Sequence, residues 1–336
     1  MRNACGWVVI AATTMALCGL ARAQAPGELR SLTIVVGSPP GGGYDVYARV
    51  LARHIGRHLS GQPSIIVQNL PGASSLKAVQ YLEANAPRDG SVIAAFNPGI
   101  VNESLLSPEK VRFKLTEMAF VGSITRDLRA CYAWGATGIK SWGDLKKVKR
   151  FNMGAPAPGT SSFINEAVLK NLFGIPVHQV TGYAGSGQVR LAIERGELDG
   201  DCGAWSSVTP DWIRDNKINP LIKFTPLPIP GLAGDVPYAG DLAASRDDRS
   251  ILELLAAPDA LGRPDVASKQ VPLGRLAVIR TAFEQTTADA QFLAEAERLD
   301  LPVSGPLGGA EAEAIIAAIY AAPPALIAHA REIVGR

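Results

Sequence analysis

Leu32-Thr33-Ile34-Val35-Val36-Gly37-Ser38-Pro39-Pro40-Gly41-Gly42-Gly43-Tyr44-Asp45-Val46-Tyr47-Ala48-Arg49-Val50-Leu51 begins as a β-branched run, passes through glycine and proline, and ends in a helical pattern. Residues 32–36 predict a strand that stops at Gly37. From Tyr44 to His58, Val46, Tyr47, Val50, Leu51 and Ile55 recur at helical spacing, with Arg49, Arg53 and Arg57 on the opposite side. A strand that turns through glycines into an amphipathic helix is the opening unit of an α/β sheet.

The unit repeats outward. Residues 64–68 predict a second strand, Pro71-Gly72 a turn, and Ser74 the start of a helix. Pro87-Arg88-Asp89-Gly90 predicts another turn, and residues 91–96 a third strand. In the middle of the chain, residues 119–123, 130–134, 151–155, 176–180 and 198–203 predict strands. Helical patterns at 142–147 (capped by Ser141), 161–173 and 187–195 separate the later ones. Residues 221–240 are rich in proline and glycine and read as a crossover or linker. The remainder reads as helical at 248–255, 273–286, 288–299 and 310–320. Strands alternating with helices imply an α/β fold with parallel-rich sheets.

The N-terminus reads as a secretory signal over residues 1–25. Arg2 is basic, residues 7–20 are uncharged and mostly apolar, and Ala21, Ala23 and Ala25 offer cleavage after Ala23 or Ala25. Leu17 before Cys18 argues against a lipoprotein. No later stretch is long and apolar enough to span a bilayer; the nearest, residues 310–322, carries Glu311 and Glu313. The chain of 336 residues holds 33 basic and 31 acidic side chains, and loss of Arg2 and Arg22 leaves 31 against 31. That balance argues against nucleic acid or an anionic membrane surface as a partner. Cys5 and Cys18 fall within the leader. Cys131 and Cys202 remain, either as one disulfide in an oxidising compartment or as two buried thiols.

Three loops join a strand to a helix and offer backbone N–H groups: Pro39-Pro40-Gly41-Gly42-Gly43-Tyr44-Asp45, Gly159-Thr160-Ser161-Ser162, and Tyr183-Ala184-Gly185-Ser186-Gly187. Glycine lets a ligand approach the backbone, and the first amides of a helix lack intrahelical partners and favour an anion. The alternative is three tight turns with no ligand. The Gly-x-Gly-x-x-Gly spacing of a dinucleotide loop and the Gly-Lys-Ser/Thr of a Walker loop are absent. Asn97, directly after the third strand, is counted among the binding residues, since ligands in open α/β sheets sit beyond the carboxyl ends of strands.

Catalytic and metal patterns are sparse: there is no Gly-x-Ser-x-Gly, His-Glu-x-x-His or Cys-x-x-Cys. His54 and His58 lie one turn apart, half a metal site, but within the apolar arc of their helix, where packed neutral imidazoles are expected. Asp199 and Asp201 suit either acid–base work or turn polarity. Lys146, Lys147, Lys149 and Arg150 read as a solvated face.

Together these residues resemble the substrate-binding receptors of tripartite tricarboxylate transporters, the Bug receptors. The resemblance covers nearly the whole chain after the leader. It rests on Pro39 to Asp45 with Ala48-Arg49, on Asn69-Leu70-Pro71-Gly72-Ala73, on Pro87 to Gly90, and on Tyr183, Gly185, Ser186, Gly187, Gly196 and Asp199. It implies a two-lobed Venus-flytrap fold, with residues 26–124 and 225–336 in one lobe and 125–224 in the other. It implies a small carboxylate gripped by the first two loops and ordered water, no cofactor, no metal, and a monomer serving the integral membrane subunits of a transporter. Tyr44, Phe163, Gln188-Val189 and Ala192 depart from the family's pattern. Tyr44 narrows the mouth, so an aromatic acid fits as well as a tricarboxylate. The first two loops hold no Arg or Lys, so backbone amides are expected to do most of the anion binding, with Arg49 only bracing its helix. A sensor receptor is a second possibility, and a periplasmic hydrolase or isomerase using Asp45 or Asp201 is the alternative from another class.

Overall fold

The computed structural model describes residues 28–111 and 113–335; the expected signal peptide, with Cys5 and Cys18, lies outside them. The described strands are β1 Ser31–Val36, β2 Ser64–Asn69, β3 Val92–Ala95, β4 Met118–Ser123, β5 Ala130–Trp134, β6 Phe151–Ala155, β7 Val177–Thr181, β8 Gly200–Asp201, β9 Ile218–Lys223, β10 Pro264–Ser268 and β11 Leu307–Gly308. They form two sheets, ordered β11-β4-β10-β3-β1-β2 and β7-β6-β8-β5-β9.

Each sheet is parallel in one half and antiparallel in the other. β1 pairs in parallel with β2 and β3, and β6 with β7 and β8. These are the strand–helix–strand units legible in the sequence, because a parallel pair needs a helix to carry the chain back. β10 runs antiparallel between β3 and β4, and β5 runs antiparallel to β8 and β9. β9 and β10 correct the reading of residues 221–240 as beginning in a linker and of the remainder as wholly helical. Pro220 interrupts β9, and Pro264 and Asp265 open β10, so neither showed a strand's pattern.

The chain passes from the first sheet to the second at residues 124–129 and returns through residues 224–263. The helix Gly43–Ile55 buries Tyr47, Val50, Leu51 and Ile55 against Leu32, Ile34, Val36, Phe283 and Phe292. Full burial of an aliphatic side chain of this size contributes about 1.5–3 kcal/mol. A larger core runs across both sheets, joining Phe96 and Phe120 of the first to Phe151 and Cys202 of the second. The last helix, Pro324–Ile333, strengthens that junction: Asn171 donates to the Ile333 carbonyl at 2.6 Å. Cys131 of β5 and Cys202, just after β8, form a disulfide within the second sheet.

His54 and His58 do not converge on a metal. His54 Nε2 meets Glu295 at 2.5 Å and His58 Nε2 meets Asp289 at 2.9 Å, so the first helix and the turn Gly56–His58 after it are joined to Ala290–Arg298 and its N-cap. His54 is buried with its ring edge-on to Phe292 at 5.7 Å, as the apolar arc implied, and the carboxylates add to that packing. Asp199 is structural: its Oδ2 accepts from the Asn152 backbone at 2.6 Å and side chain at 3.0 Å. No single helix among the described residues is long and apolar enough to cross a membrane.

Candidate functional site

Between the two sheets lies a cleft of about 400 Å³. The first sheet supplies the loops after β1, β2 and β3, and the second supplies those after β6, β7 and β8, all at carboxyl ends of strands. Of the residues expected to bind, Pro39, Gly42, Gly43, Tyr44, Asn97, Thr160, Ser162, Tyr183 and Ser186 line it. Gly41, Asp45, Gly159 and Ser161 do not, and each has a structural task instead.

Asp45 is buried behind the glycine loop. Its Oδ2 accepts from the Gly41 N–H at 2.8 Å and from Arg49 Nε at 2.9 Å, and its Oδ1 accepts from Asn69 Nδ2 at 2.8 Å. Burial pushes its carboxyl up, but bonds from Arg49, Gly41 and Asn69 outweigh that and hold it below the usual range. Asp45 shapes the loop, allowing Gly41 its left-handed φ of 77°. Asn69 also donates to the Ser38 carbonyl at 2.9 Å and accepts from Arg49 at 3.0 Å. This closed set explains why Asn69 and Arg49 belong to the pattern without touching the cleft.

The loop after β2 is strained. Ala73, Ser74 and Ser75 take φ values of 44°, 57° and 78°, left-handed backbone that non-glycine residues seldom adopt, and cleft walls are where such strain concentrates. Ser75 offsets it: its hydroxyl donates to the Gly37 carbonyl at 3.0 Å and accepts from the Asn97 N–H at 3.1 Å. Three strand ends are thereby tied together. On the opposite side, the Thr160 hydroxyl caps Ser161–Asn171 by accepting from Phe163 N–H at 3.4 Å. Ser161 reaches across to Asn97 Oδ1 at 3.4 Å, and Gly159, with φ 87°, turns the chain into that cap.

The cleft is more charged than the glycine loops suggested. Arg129, Arg190 and Arg263 line it, against one carboxylate, Asp201. Arg129 and Arg263 come from the two passes between the sheets. Arg129 pairs with Asp127 at 2.5 Å and Asp259 at 3.0 Å, and Arg263 approaches Asp127 at 3.3 Å. Arg263 also lies over the rings of Tyr44 at 4.7 Å and Tyr47 at 5.0 Å. One face of Tyr44 is thus given to a guanidinium, rather than to stacking on a ligand. Arg190 makes no ion pair within 4 Å among the described residues. It sits four residues after Ser186, hence on the same helical face as the third loop, and that spacing was the signal available in the sequence. Arg129 Nη1, Arg263 Nε, Ser38 Oγ and Asp201 Oδ1 are buried and lack a protein partner. Burial pushes the Asp201 carboxyl up to about 6 despite Arg129, and pushes Asp259 up to about 7.

Two α/β sheets closing on a cleft at the ends of their strands define the two-lobed fold of periplasmic binding proteins. The structural neighbours are of that class. The periplasmic binding protein BugD superposes with a TM-score of 0.71 at 17% identity, over 90% of this chain and 97% of BugD. R. palustris Rpa4515, solved with adipate, gives 0.71 at 19% identity, over 91% of this chain and 97% of that one. In sequence, the UPF0065 protein of the TAR-I ttuE-ttuC' intergenic region of Agrobacterium vitis is 24% identical over 320 residues, 89% of this chain and 90% of that protein. No family model matches. The Bug resemblance read from the glycine loop and the Asn69–Ala73 segment is borne out by these likenesses.

Proposed function

We propose that this chain is an exported periplasmic receptor that captures a small carboxylate between its lobes, leaves it chemically unchanged, and delivers it to the integral membrane subunits of a tripartite tricarboxylate transporter. The observation that carries this reading is the cleft itself: three guanidinium groups and three helix-entry loops face one carboxylate across about 400 Å³. That volume suits a small organic acid, and the excess of positive groups suits an anion. The adipate-bound relative of the same fold supports the ligand class. Arg190, which closes no ion pair within 4 Å among the described residues, is the side chain best placed to take the ligand's charge. On this reading the arginines share the anion with the backbone amides of the loops.

The enzyme reading loses its first candidate base, because Asp45 lies outside the cleft with three donors on its carboxylate. Native mass spectrometry of the protein taken from its host's periplasm tests the proposal. A bound small acid, released unchanged on denaturation, is expected, and deletion of the gene should abolish uptake of that acid. A chemically altered product, or undiminished uptake, would overturn the reading.

A further inference from the structure

We propose that Asp201 makes the receptor selective for carboxylates that also carry a hydrogen-bond donor, a hydroxyl or an ammonium group, on the same small skeleton. The inference rests on the reading of the cleft as a carboxylate site. Asp201 is the only carboxylate lining the cleft among the described residues, and it is 5% exposed. Its Oδ1 has no protein partner. Its other contacts are few: the Tyr132 phenol and the Cys202 amide bond to the carboxylate. A side chain at residue 203 would crowd it, since a β-carbon on Gly203 would lie 2.7 Å from Asp201 Oδ2.

The charges of Arg129 and Arg190 both act on Asp201, but neither arginine closes on it. Arg129 is engaged by Asp127 and Asp259, and no ion pair within 4 Å joins Asp201 to Arg129 or Arg190. Cys202, the next residue, is bonded to Cys131, which fixes β8 against β5 beneath the cleft. Behind it lies Glu166, another buried carboxyl, raised well above its usual range by burial and by Asp201. A buried acceptor left without a donor is costly, and a second carboxylate brought against it would be repelled. A plain diacid therefore meets one wall badly. A ligand with its carboxylate toward Arg190 and the loop amides, and an O–H or N–H toward Asp201, satisfies both.

The test is calorimetric titration with matched probes on two skeletons: succinate, malate and aspartate, then adipate, 2-hydroxyadipate and 2-aminoadipate. The wild type should bind a donor-bearing probe at least tenfold more tightly than its plain diacid. Asp201→Asn should lose at least tenfold for the ammonium probe and bind the plain diacid unchanged or more tightly, with Asp201→Ala reducing the preference for the hydroxyl as well. Circular dichroism confirms that both variants fold. Equal wild-type affinities within each set, or an equal change for every probe in folded Asp201→Asn, would overturn the role of Asp201 while leaving a carboxylate receptor standing. No binding by any probe would overturn the carboxylate reading and this selectivity together.

Discussion

Gly99, beside the first sheet, approaches Gly159, beside the second, so closely that a β-carbon on it would lie 2.5 Å from the Gly159 carbonyl oxygen and 2.7 Å from the Ser161 nitrogen. The lobes therefore meet backbone to backbone, next to the Ser74–Pro158 and Ser161–Asn97 bonds. Because backbone yields less readily than a side-chain end, Gly99→Ala should hold the lobes apart. Affinity for the bound acid should fall on the order of tenfold, equivalent to about 1.4 kcal/mol. Small-angle scattering with saturating acid should show a larger radius of gyration than the wild type. Unchanged affinity and radius would show that this contact is not needed for closure.

The Cys131–Cys202 bond closes a loop with a sequence separation of 71. In the chain-entropy model such a crosslink stabilises by roughly 4 kcal/mol at most. It also holds Tyr132 and Asp201, so its loss should loosen the cleft wall. The double variant Cys131→Ala/Cys202→Ala should unfold at lower urea concentration than the wild type, and a reductant should have no further effect on it. Equal midpoints would remove the bond from any role in stability.

Much of this architecture was legible, and the limits have physical causes. The units β1–loop–helix and β6–loop–helix show in the sequence because their strands are short, β-branched or apolar runs that end at glycine or proline. Ser141 and Thr160 announce their helices because a hydroxyl at an N-cap is a local event. β10 does not show, because Asp265 sits in a fully buried strand that only its antiparallel neighbours β3 and β4 stabilise. The same holds for Arg129 and Arg263. Each reads locally as an ordinary charge near the end of an element. They meet only because the chain crosses between the sheets at both places, and no spacing in the sequence encodes that. Asp45 was placed in the cleft for the opposite reason: its neighbours Gly43 and Tyr44 do line it, but helical geometry turns Asp45 back toward Gly41 and Asn69.

Asp265 predicts an unusual pH dependence. Burial pushes its carboxyl up to about 8, and Oδ1 has no partner. An acid whose folded pKa is raised holds a proton that the unfolded chain releases. Its stabilising effect is complete below the unfolded value near 4 and is lost as pH rises toward the folded value, by about 1.4 kcal/mol per pH unit. Asp265→Asn removes this slope. Its stability relative to the wild type should rise between pH 5 and pH 7 by up to about 2.7 kcal/mol. Urea denaturation of both proteins at the two pH values measures the difference, and a pH-independent difference would contradict it.

Asp45 and Arg49 should differ in weight although they form one ion pair. Arg49 is 43% exposed on its side chain, whereas Asp45 is 2%. Arg49→Ala leaves Asp45 with the Gly41 and Asn69 donors, so stability should fall by about 1 kcal/mol or less. Asp45→Ala leaves the Gly41 amide without its acceptor and frees the glycine loop. It should cost about 1–3 kcal/mol and weaken ligand binding as well. Thermal unfolding and calorimetry of both variants separate the two. If Arg49→Ala weakens binding more than Asp45→Ala does, Arg49 acts on the ligand and not through the loop.

Tyr44 is the residue at which this chain's first loop departs most visibly from the pattern it resembles, and Arg263 supplies the reason. The guanidinium lies between the faces of Tyr44 and Tyr47, and a β-carbon on Gly43 would lie 3.5 Å from Arg263 Nη2 and 3.2 Å from Ser207 Oγ. The loop thus carries an aromatic wall that holds a cation at the junction of the two sheets. The attraction comes from the ring face and not from the hydroxyl, so Tyr44→Phe should bind the acid within about threefold of the wild type. Tyr44→Ser removes the ring. Arg263 then loses one wall, with an expected penalty of about 1–2 kcal/mol for a desolvated pair, or roughly 5- to 30-fold in affinity if Arg263 must be held in place to bind. Calorimetric titration of both variants, with their unfolding curves as a control for folding, decides the matter. A loss in Tyr44→Phe as large as that in Tyr44→Ser would mean that the phenol touches the ligand, and the aromatic hold on Arg263 would not explain the departure.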